Sequence, residues 1–508
     1  MLTSEPITYD EVPYESLPIP GTHPDRMSTV ARLPGIDVAA VEASRVLELG
    51  CAGGGNLIPM AIGLPRAQFT GVDLSPVQVA DGDTLIRALH LSNVKLIAAN
   101  VMDIDEHFGE FDYIIAHGIY SWVPNSVQEK ILEICKRNLA PSGVAYISYN
   151  TLPGWRMRGM IRDLMRYHAL QFQTAAERVP QARAMLDFLA RGSDENSAYG
   201  KLLRSELELL RSAPDYYIVH EHLNDLNEPI YFYEFVERAR RHGLQYLADA
   251  DVTTMMASRF APQVAETIRR ISPDVIRQEQ LMDFLCNRTF RQTLLVHAEQ
   301  PVDRQITAQR MKNLWVSSPA RPASANPNLT EGVVEKFCTP AGMCVNTPSA
   351  LTKSAFVALA ARSPAAIAVS DLVASVYSRL NPLAGKPPGE DTFEALANDL
   401  LQGYALGVVE LHVGASPFTV EPGARPVASP LARYQAERGG RVTTLRHESI
   451  LVPDAIRTLI PLLDGSRTID EIASTVDRRK PGVFSKFADP DSLKTAVNDI
   501  ARNALIAS

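Results

Sequence analysis

The sequence predicts an α/β fold, a parallel sheet interrupted by a helical insertion, followed by a mostly helical C-terminal region with winged-helix-like modules. Three observations predict it. Strand-like and helical runs alternate from about residue 45 to 150, which is typical of a parallel α/β sheet. Helical periodicity then dominates at roughly 155–212, and strand-like runs return near residues 244 and 290.

The elements of the sheet can be taken in chain order. Five strands are expected in the first 150 residues, at Arg45–Leu49, Gln68–Asp73, Val94–Ala99, Asp112–Ala116 and Val144–Tyr149. After the helical block, an amphipathic helix at Tyr231–His242 is stopped by Gly243. Strands at Leu244–Ala248 and Phe290–His297 would then complete the sheet.

The chain therefore divides into a core at 1–154, a helical insertion at 155–228 and the completion of the sheet at 229–300. The Pro, Ser and Ala content of SSPARPASANPNLT (317–330) is typical of a linker, which we place at 301–330. A substrate or partner domain would follow at 331–508. Its predicted elements are helices at Asp371–Leu380 and Thr392–Tyr404, a strand at Gly407–Val413 and a helical unit at Ile456–Val476.

Composition narrows the class of protein. With 46% hydrophobic and 21% charged residues, the 508-residue chain is typical of a soluble globular protein. Its net charge of −8 argues against nucleic acid as a partner. No signal peptide or apolar run of the ~20 residues that span a membrane occurs, so we expect no membrane insertion and a cytoplasmic location.

The five cysteines are scattered and odd in number, which implies no disulfide framework. Cys338 and Cys344 lie close together, but no second Cys or His pair accompanies them at zinc-like spacing. No metal is expected.

The most informative segment is VLELGCAGGGNLIPMA, Val46–Ala61, in which a strand runs through a glycine-rich turn into a helix. Glycines let the backbone turn tightly and lie against a ligand. Taken alone, the turn fits a dinucleotide site, or an unrelated α/β protein, as well as any other nucleotide pocket.

Three further features favour an adenosine that carries an amino-acid tail. Glu48 lies two residues before the first glycine, where a carboxylate suits a cationic amino group and not a diphosphate. Asp73 ends the second strand, where its two oxygens can accept both ribose hydroxyls. Asn100 and Asp103 follow the third strand near the expected adenine edge, and the fourth strand ends in Ala116–Gly118.

These residues resemble the motifs of class I S-adenosylmethionine-dependent methyltransferases, in ELGCAGGG, GVDLS and LAPSGVAYISYN (139–150). Ala52 replaces the usual second glycine, and Asn100 the usual aspartate. The resemblance implies a Rossmann-like sheet, S-adenosyl-L-methionine as cofactor and S-adenosyl-L-homocysteine as product. The implied cofactor-binding residues are Glu48, Gly50, Ala52, Gly54, Asn56, Asp73, Leu74, Asn100, Met102 and His117.

A narrower resemblance is carried by five stretches: YDEVPYESLPIPGTHPDRM (9–27), AHGIYSWVP (116–124), YNTLPGW (149–155), VHEHLNDLNEPIYFYEF (219–235) and CNRTFRQTLLVH (286–297). They are similar to bacterial methyltransferases with a methyltransferase regulatory domain, a group that includes rickettsial protein-lysine methyltransferases acting on an outer-membrane protein. The likeness covers most of residues 8–300. It implies methylation of protein lysine side chains by in-line methyl transfer.

The acceptor is expected at the loops after strands four and five, because parallel α/β folds bind ligands at the carboxyl ends of their strands. The candidate catalytic residues are Tyr120, Trp122, Tyr149, Trp155, His220 and Glu221. Alternatively, the aromatic residues pack under the helical insertion, and the cluster His220-Glu221-His222 serves surface packing or helix capping. An N-terminal segment with Tyr9, Tyr14, Thr22, His23 and Arg26 could cover the cofactor as a lid.

Two other functions stay open: a methyltransferase for a small metabolite or peptide natural product, and a non-catalytic regulatory protein that binds S-adenosylmethionine. The helical block and the long C-terminal region favour a protein or peptide substrate, since small acceptors seldom need so much surface. A small-molecule substrate and a homodimer are both possible from the sequence.

Overall fold

The computed structural model describes residues 11–383, 387–473 and 490–508. Its central element is a seven-stranded sheet in the order β3-β2-β1-β4-β5-β7-β6. Strands β1 to β5 are parallel, and β7 runs antiparallel to both β5 and β6. The strands are β1 Arg45–Leu49, β2 Gln68–Asp73, β3 Val94–Ala98, β4 Phe111–Ala116, β5 Leu139–Asn150, β6 Leu244–Asp249 and β7 Phe290–His297.

Helices cover both faces of this sheet and bury two apolar clusters against it. The strands of the parallel part are apolar on both sides, as expected for a sheet covered by helices on both faces. The helices around the first five strands are α1 Pro24–Arg32, α2 Leu57–Gly63, α3 Pro76–Ala88 and α4 Asn125–Arg137. The five strands predicted in this region are confirmed, with β5 beginning five residues earlier than expected.

The predicted helical insertion follows β5 and has an apolar cluster of its own. Its helix α6 begins with a capping box, in which Thr174 and Glu177 satisfy each other's backbone N–H groups. The segment contains α5 Gly154–Ala169, α6 Ala175–Gly192, α7 Ala198–Arg211, the short turn α8 Asp215–Tyr217 and a π-helical turn at Ile218–Leu223. Helices α5, α6 and α7 thus pack on one another around this cluster, and the segment contributes no strand to the sheet.

The chain then returns to the sheet through α9 Phe232–Arg241, β6, α10 Pro262–Ile271, α11 Val275–Cys286 and β7. A buried ionic cluster fixes this return. The guanidinium of Arg291 lies 2.7 Å from Glu279 and 2.8 Å from Asp283, and it stacks over the ring of Phe232 at 3.8 Å. Removing one partner of such a buried ion pair lowers the free energy of unfolding by on the order of 3–5 kcal/mol, because the other charge is left buried without a partner.

The linker expected at 301–330 needs a correction. Strand β8 Trp315–Ser317 pairs with β12 Ile367–Ala368 and β13 Glu410–His412, and β9 Arg321–Pro322 pairs with β10 Glu335–Cys338. Buried Val316 and Ala320 belong to the apolar cluster that follows. Proline-rich composition indicated a free connection, but pairing with distant strands orders this stretch.

The C-terminal region contains two units, each with its own core. The first, here the middle unit (308–413), adds β11 Cys344–Thr347, α12 Ala350–Arg362, α13 Val369–Leu380 and α14 Glu390–Ala405. The second, here the terminal unit (418–508), contains α15 Pro430–Arg438, β14 Arg441–Thr443, β15 Ser449–Leu451, α16 Asp454–Leu459 and α17 Pro490–Arg502. The helical unit predicted at Ile456–Val476 is interrupted after α16, and its residues 474–476 lie outside the described residues.

Cys338 and Cys344 form a disulfide, although the number and spacing of the cysteines implied no disulfide framework. They face each other directly in the antiparallel pair β10–β11. Pairing across a hairpin depends on strand register, which cysteine spacing does not encode. In the described ranges, no helix is long and apolar enough to cross a membrane.

Candidate active site

The glycine-rich turn between β1 and α2 is tied to the end of β2. The N–H groups of Gly50 and Cys51 donate to the carbonyl oxygen of Val72 at 2.8 and 3.1 Å. The Asp73 carboxylate accepts from the N–H of Ala52 at 2.7 Å through Oδ2 and from Ser75 at 2.9 Å through Oδ1. A carboxylate can accept about four hydrogen bonds. Asp73 therefore shapes the turn and keeps capacity for two hydroxyl groups.

Ala52 has a left-handed backbone, with φ of 48°. For a residue with a Cβ that conformation costs roughly 1–2 kcal/mol. The hydrogen bond to Asp73 holds it there. The replacement of the usual glycine therefore leaves the shape of the turn intact while adding local strain.

Glu48 is the most unusual group of the site. It is buried at the end of β1, and its Oε1 accepts from the Asn56 side chain at 2.8 Å. Its Oε2 is buried without a hydrogen-bond partner among the described residues. Burial raises the Glu48 pKa to about 8, because the charged form loses its hydration. A ligand ammonium group would supply the missing partner, so this carboxylate fits the amino-acid tail expected from the sequence.

The expected adenine side lies along the ends of β2 and β3. Leu74 and Met102 are apolar side chains with 73% and 44% of their surface exposed. Asn100 uses its Oδ1 to accept from the N–H of Met102 at 3.0 Å. An amide oxygen has a second lone pair, so Asn100 can still accept from an exocyclic amine. Exposed apolar side chains beside such an acceptor fit a flat heterocycle.

The N-terminal segment crosses the glycine-rich turn, where the lid was expected. Ser16 Oγ accepts from the N–H of Gly55 at 2.8 Å, and Ile19 N–H donates to Asn56 Oδ1 at 2.9 Å. Thr22 also contacts Asn56. Ser16 could not be predicted from the sequence, because an isolated serine in a proline-rich stretch belongs to no recognisable motif.

The other lid residues have different positions. Tyr14 packs edge-on against Tyr216 with ring centroids 5.0 Å apart, and Arg26 pairs with Glu410 of the middle unit. His23 caps α1, because its side chain accepts from the N–H of Asp25. Tyr9 lies outside the described residues.

A hydrogen-bonded chain lies where the carboxyl ends of β4 and β5 meet the amino end of the antiparallel strand β7. His117 Nδ1 is 2.9 Å from the Tyr146 hydroxyl, which donates to Gln292 Oε1 at 2.9 Å. Since that hydroxyl proton is used on Gln292, His117 must donate through Nδ1, and its Nε2 is the acceptor nitrogen. Burial lowers the His117 pKa to about 4, so the ring is neutral at pH 7. Tyr146 and Gln292 were missed because they lie inside strands that read as core.

The four aromatic candidates separate into two groups. Tyr120 and Tyr149 are fully buried and pack on Phe235, with ring centroids 5.3 and 4.1 Å away. For these two the structure favours the packing interpretation. Trp122 is half-buried and meets buried Trp155 edge-to-face at 6.1 Å.

Trp155 also lines an open cavity of about 780 Å³. The cavity lies between α5 and the segment before α9, and its polar and aromatic lining includes Arg156, Asp163, Tyr167 and Glu228. The Glu228 N–H donates to the carbonyl oxygen of Ser121 at 2.8 Å. This hydrogen bond joins the cavity wall to the loop that follows β4.

The cluster His220-Glu221-His222 lies on the π-helical turn. His220 Nε2 is 2.6 Å from the carbonyl oxygen of Val12, so this side chain fastens the N-terminal segment. Burial raises the Glu221 pKa to about 7, opposed by Arg158 and Arg162. Among the described residues, no group of three or more His, Cys, Asp or Glu side chains could hold a metal ion.

Three family descriptions match parts of the chain. A methyltransferase domain matches residues 46–143, a predicted methyltransferase regulatory domain matches 214–297, and the PKMT C-terminal winged helix domain matches 424–505. The first contains the glycine-rich turn and Asp73, the second contains β6 and β7, and the third covers most of the terminal unit.

Whole-chain relatives agree with these matches. The chain is 37% identical over 464 residues to the uncharacterized protein RP789 of Rickettsia prowazekii (strain Madrid E), covering 90% of this chain and 83% of the relative. It is similar to the structure of PKMT2 from Rickettsia typhi in complex with AdoHcy, at 29% identity and a TM-score of 0.85, over 98% of this chain and 100% of that one. A second PKMT2 structure from Rickettsia typhi gives a TM-score of 0.86 at the same identity and coverage.

A Rossmann-like sheet, a glycine-rich turn between two strand-end carboxylates and a terminal winged-helix domain thus occur together in this chain. The chain belongs to the family of methyltransferases that carry a methyltransferase regulatory domain and a PKMT-type C-terminal winged-helix domain.

Proposed function

We propose that this methyltransferase uses S-adenosylmethionine to methylate lysine side chains of a protein substrate. The observation that carries the cofactor part of this proposal is the orphaned, buried Oε2 of Glu48 beside the glycine-rich turn. A carboxylate without a partner in a buried site is costly, and a cationic amino group is the ligand that satisfies it.

Four side chains are proposed to hold the cofactor. Glu48 would accept from its amino group, Asp73 from its ribose hydroxyls, and Leu74 and Met102 would cover its adenine. The relative PKMT2 of Rickettsia typhi was crystallised with AdoHcy, which is the product form of this cofactor. When bound, S-adenosylmethionine supplies a methyl group on a positively charged sulfur.

His117 would orient the acceptor amine. Its lowered pKa keeps the ring neutral at pH 7, and the hydrogen bond to Tyr146 leaves Nε2 as an acceptor. A lysine amine must be neutral to attack, and an N–H donated to Nε2 would fix the direction of its lone pair. Tyr146 and Gln292 hold the imidazole in the required tautomer.

A lysine fits the surroundings of this site better than a neutral acceptor. Trp122 lies half-buried beside Trp155, and aromatic rings attract cations. The adjoining cavity adds the carboxylates of Asp163 and Glu228. Residues 424–505 match the C-terminal winged-helix domain described for PKMT, which agrees with the resemblance of the sequence to rickettsial protein-lysine methyltransferases.

The test is product identification. The protein would be incubated with S-[methyl-³H]adenosylmethionine and a bacterial lysate, and the labelled protein fraction would then be acid-hydrolysed. We expect label in methylated lysine, and none with the Asp73→Ala variant. Label confined to small molecules, or found on another amino acid, would overturn the lysine assignment.

The cytoplasmic location expected from the sequence stays a prediction, as does the homodimer that the sequence leaves possible. Fractionation of the source bacterium and light scattering of the purified protein would test them. The Rickettsia relatives support a bacterial source.

A further inference from the structure

A hairpin turn of the terminal unit reaches the cofactor site. The turn between β14 and β15 places His447 Nε2 at 2.7 Å from Asn56 Oδ1, across 391 residues of sequence. Both side chains are buried, each with 4% of its surface exposed. Asn56 precedes α2 directly after the glycine-rich turn, so the contact lies beside the proposed cofactor pocket.

The direction of this hydrogen bond follows from the other bonds of Asn56. Its Nδ2 donates to Glu48 Oε1 at 2.8 Å and to Thr22 Oγ1 at 3.0 Å. Its Oδ1 accepts from the N–H of Ile19 at 2.9 Å. Oδ1 is therefore the acceptor end, and His447 donates through Nε2. Burial lowers the His447 pKa well below its usual value, so the ring is neutral and serves as a fixed donor.

The result is a continuous chain from His447 to Asn56 to Glu48, which ends at the orphaned Oε2. If Asn56 turned its amide over, it would present an oxygen to the ionised Glu48 carboxylate, which is the form that pairs with an ammonium group. His447 opposes that rotation, because its N–H requires the oxygen of Asn56.

We propose that His447 is a positioning residue for the cofactor, acting through Asn56 to hold Glu48 toward the cofactor's amino group. The inference rests on the proposed function, since it needs a ligand ammonium at Glu48. It makes the terminal unit part of the cofactor site, in addition to any contact with the substrate.

The backbone of His447 supports this role. Its φ is 62°, a left-handed conformation that a residue with a side chain seldom adopts unless the surroundings hold it. An ionic cluster lies beside this turn. Arg446 and Arg26 both pair with Glu410, at 3.0 and 2.6 Å, and Asp25 pairs with His412 at 2.8 Å. Arg446 thus connects the turn through Glu410 to Arg26 of α1, while the neighbouring His447 contacts Asn56.

If His447 had a purely structural role, its replacement would affect ligand binding differently. Loosened docking of the terminal unit would weaken every ligand of the pocket to a similar degree. Action through Glu48 would weaken only ligands that carry the amino group. S-adenosylhomocysteine carries that group, whereas 5′-methylthioadenosine lacks it and keeps the adenosine.

The experiment is calorimetric titration of both ligands into the full-length wild type, His447→Leu and His447→Gln. Leucine removes the donor at similar size, and glutamine keeps an N–H donor on a flexible chain. We expect His447→Leu to weaken S-adenosylhomocysteine binding about tenfold, with the affinity for 5′-methylthioadenosine within twofold of wild type. His447→Gln should recover most of the loss.

Equal weakening of both ligands, or no weakening of either, would overturn the inference. A wild type that does not bind S-adenosylhomocysteine would instead defeat the proposed cofactor. Should His447→Leu fail to fold, His447→Asn takes its place, because asparagine tolerates the left-handed backbone but is too short to replace the imidazole. The same two ligands then decide the outcome.

Discussion

The Asp73 carboxylate accepts a hydrogen bond from the backbone N–H of Ala52 at 2.7 Å, so the acid that ends β2 holds the turn that follows β1. One side chain thereby links the two strand ends between which the cofactor is proposed to lie. Ala52 in turn adopts a backbone that favours glycine. The shape of the pocket and its ligand-binding groups therefore depend on each other.

Replacing Asp73 should harm cofactor binding in two ways, through the lost ribose acceptors and through the released turn. We expect Asp73→Ala to weaken S-adenosylhomocysteine binding at least tenfold, measured by calorimetry. Asp81→Ala, on the exposed surface of α3, is the matched control and should bind normally. Unchanged affinity in Asp73→Ala would remove this residue from the proposed site.

Glu48 should make the stability of the ligand-free protein depend on pH. Its pKa is raised from 4.5 to about 8, so the folded state keeps a proton that the unfolded chain loses. This group therefore lowers the free energy of unfolding as pH rises from about 4.5 to about 8.

We expect Glu48→Gln to flatten that part of the pH dependence and to be relatively more stable at pH 8 than at pH 5. The same variant should bind S-adenosylhomocysteine at least tenfold more weakly, because the neutral amide cannot pair with an ammonium. Denaturation curves across pH check the first effect and calorimetry the second. Parallel pH profiles for wild type and variant would contradict the buried, protonated state of Glu48.

Ala52→Gly should stabilise the protein. The change relieves a left-handed alanine that costs roughly 1–2 kcal/mol, against about 0.5–1 kcal/mol of extra chain entropy for glycine. We expect a net gain of about 0.5–1 kcal/mol in the free energy of unfolding, measured by urea denaturation. Ala80→Gly, at an exposed position in α3, should lose about 1 kcal/mol instead. A loss in both variants would mean that Ala52 is not strained.

Trp122→Ala should reduce methyl transfer while leaving cofactor affinity near that of wild type. The side chain is half-buried beside Trp155, where an acceptor is proposed to lie. Tyr149→Ala is the contrast, since fully buried Tyr149 stacks on Phe235 and should cost on the order of 3 kcal/mol of stability. If Trp122→Ala lowered only the melting temperature, its role would be packing.

Much of the fold could be predicted because its signals are local. Strands β1 and β2 have the bounds expected from their apolar runs, and β7, 140 residues after β5, was expected from FRQTLLVH alone. The prediction of a linker around β8 was wrong. Pairing with β12 and β13 orders this stretch, and its composition does not reveal that pairing. The Cys338–Cys344 disulfide likewise depends on the register of a hairpin.

The sequence by itself predicted the cofactor half of the proposed site. Glu48, the glycines and Asp73 lie within one β-α-β segment, where strand ends and turn geometry bring nearby residues together. Only the tertiary structure decided the rest: that Tyr120 and Tyr149 are core, that Tyr146 and Gln292 orient His117, and that His447 meets Asn56. These contacts join elements far apart in the chain. Their geometry follows from packing and burial, which no local pattern of residues records.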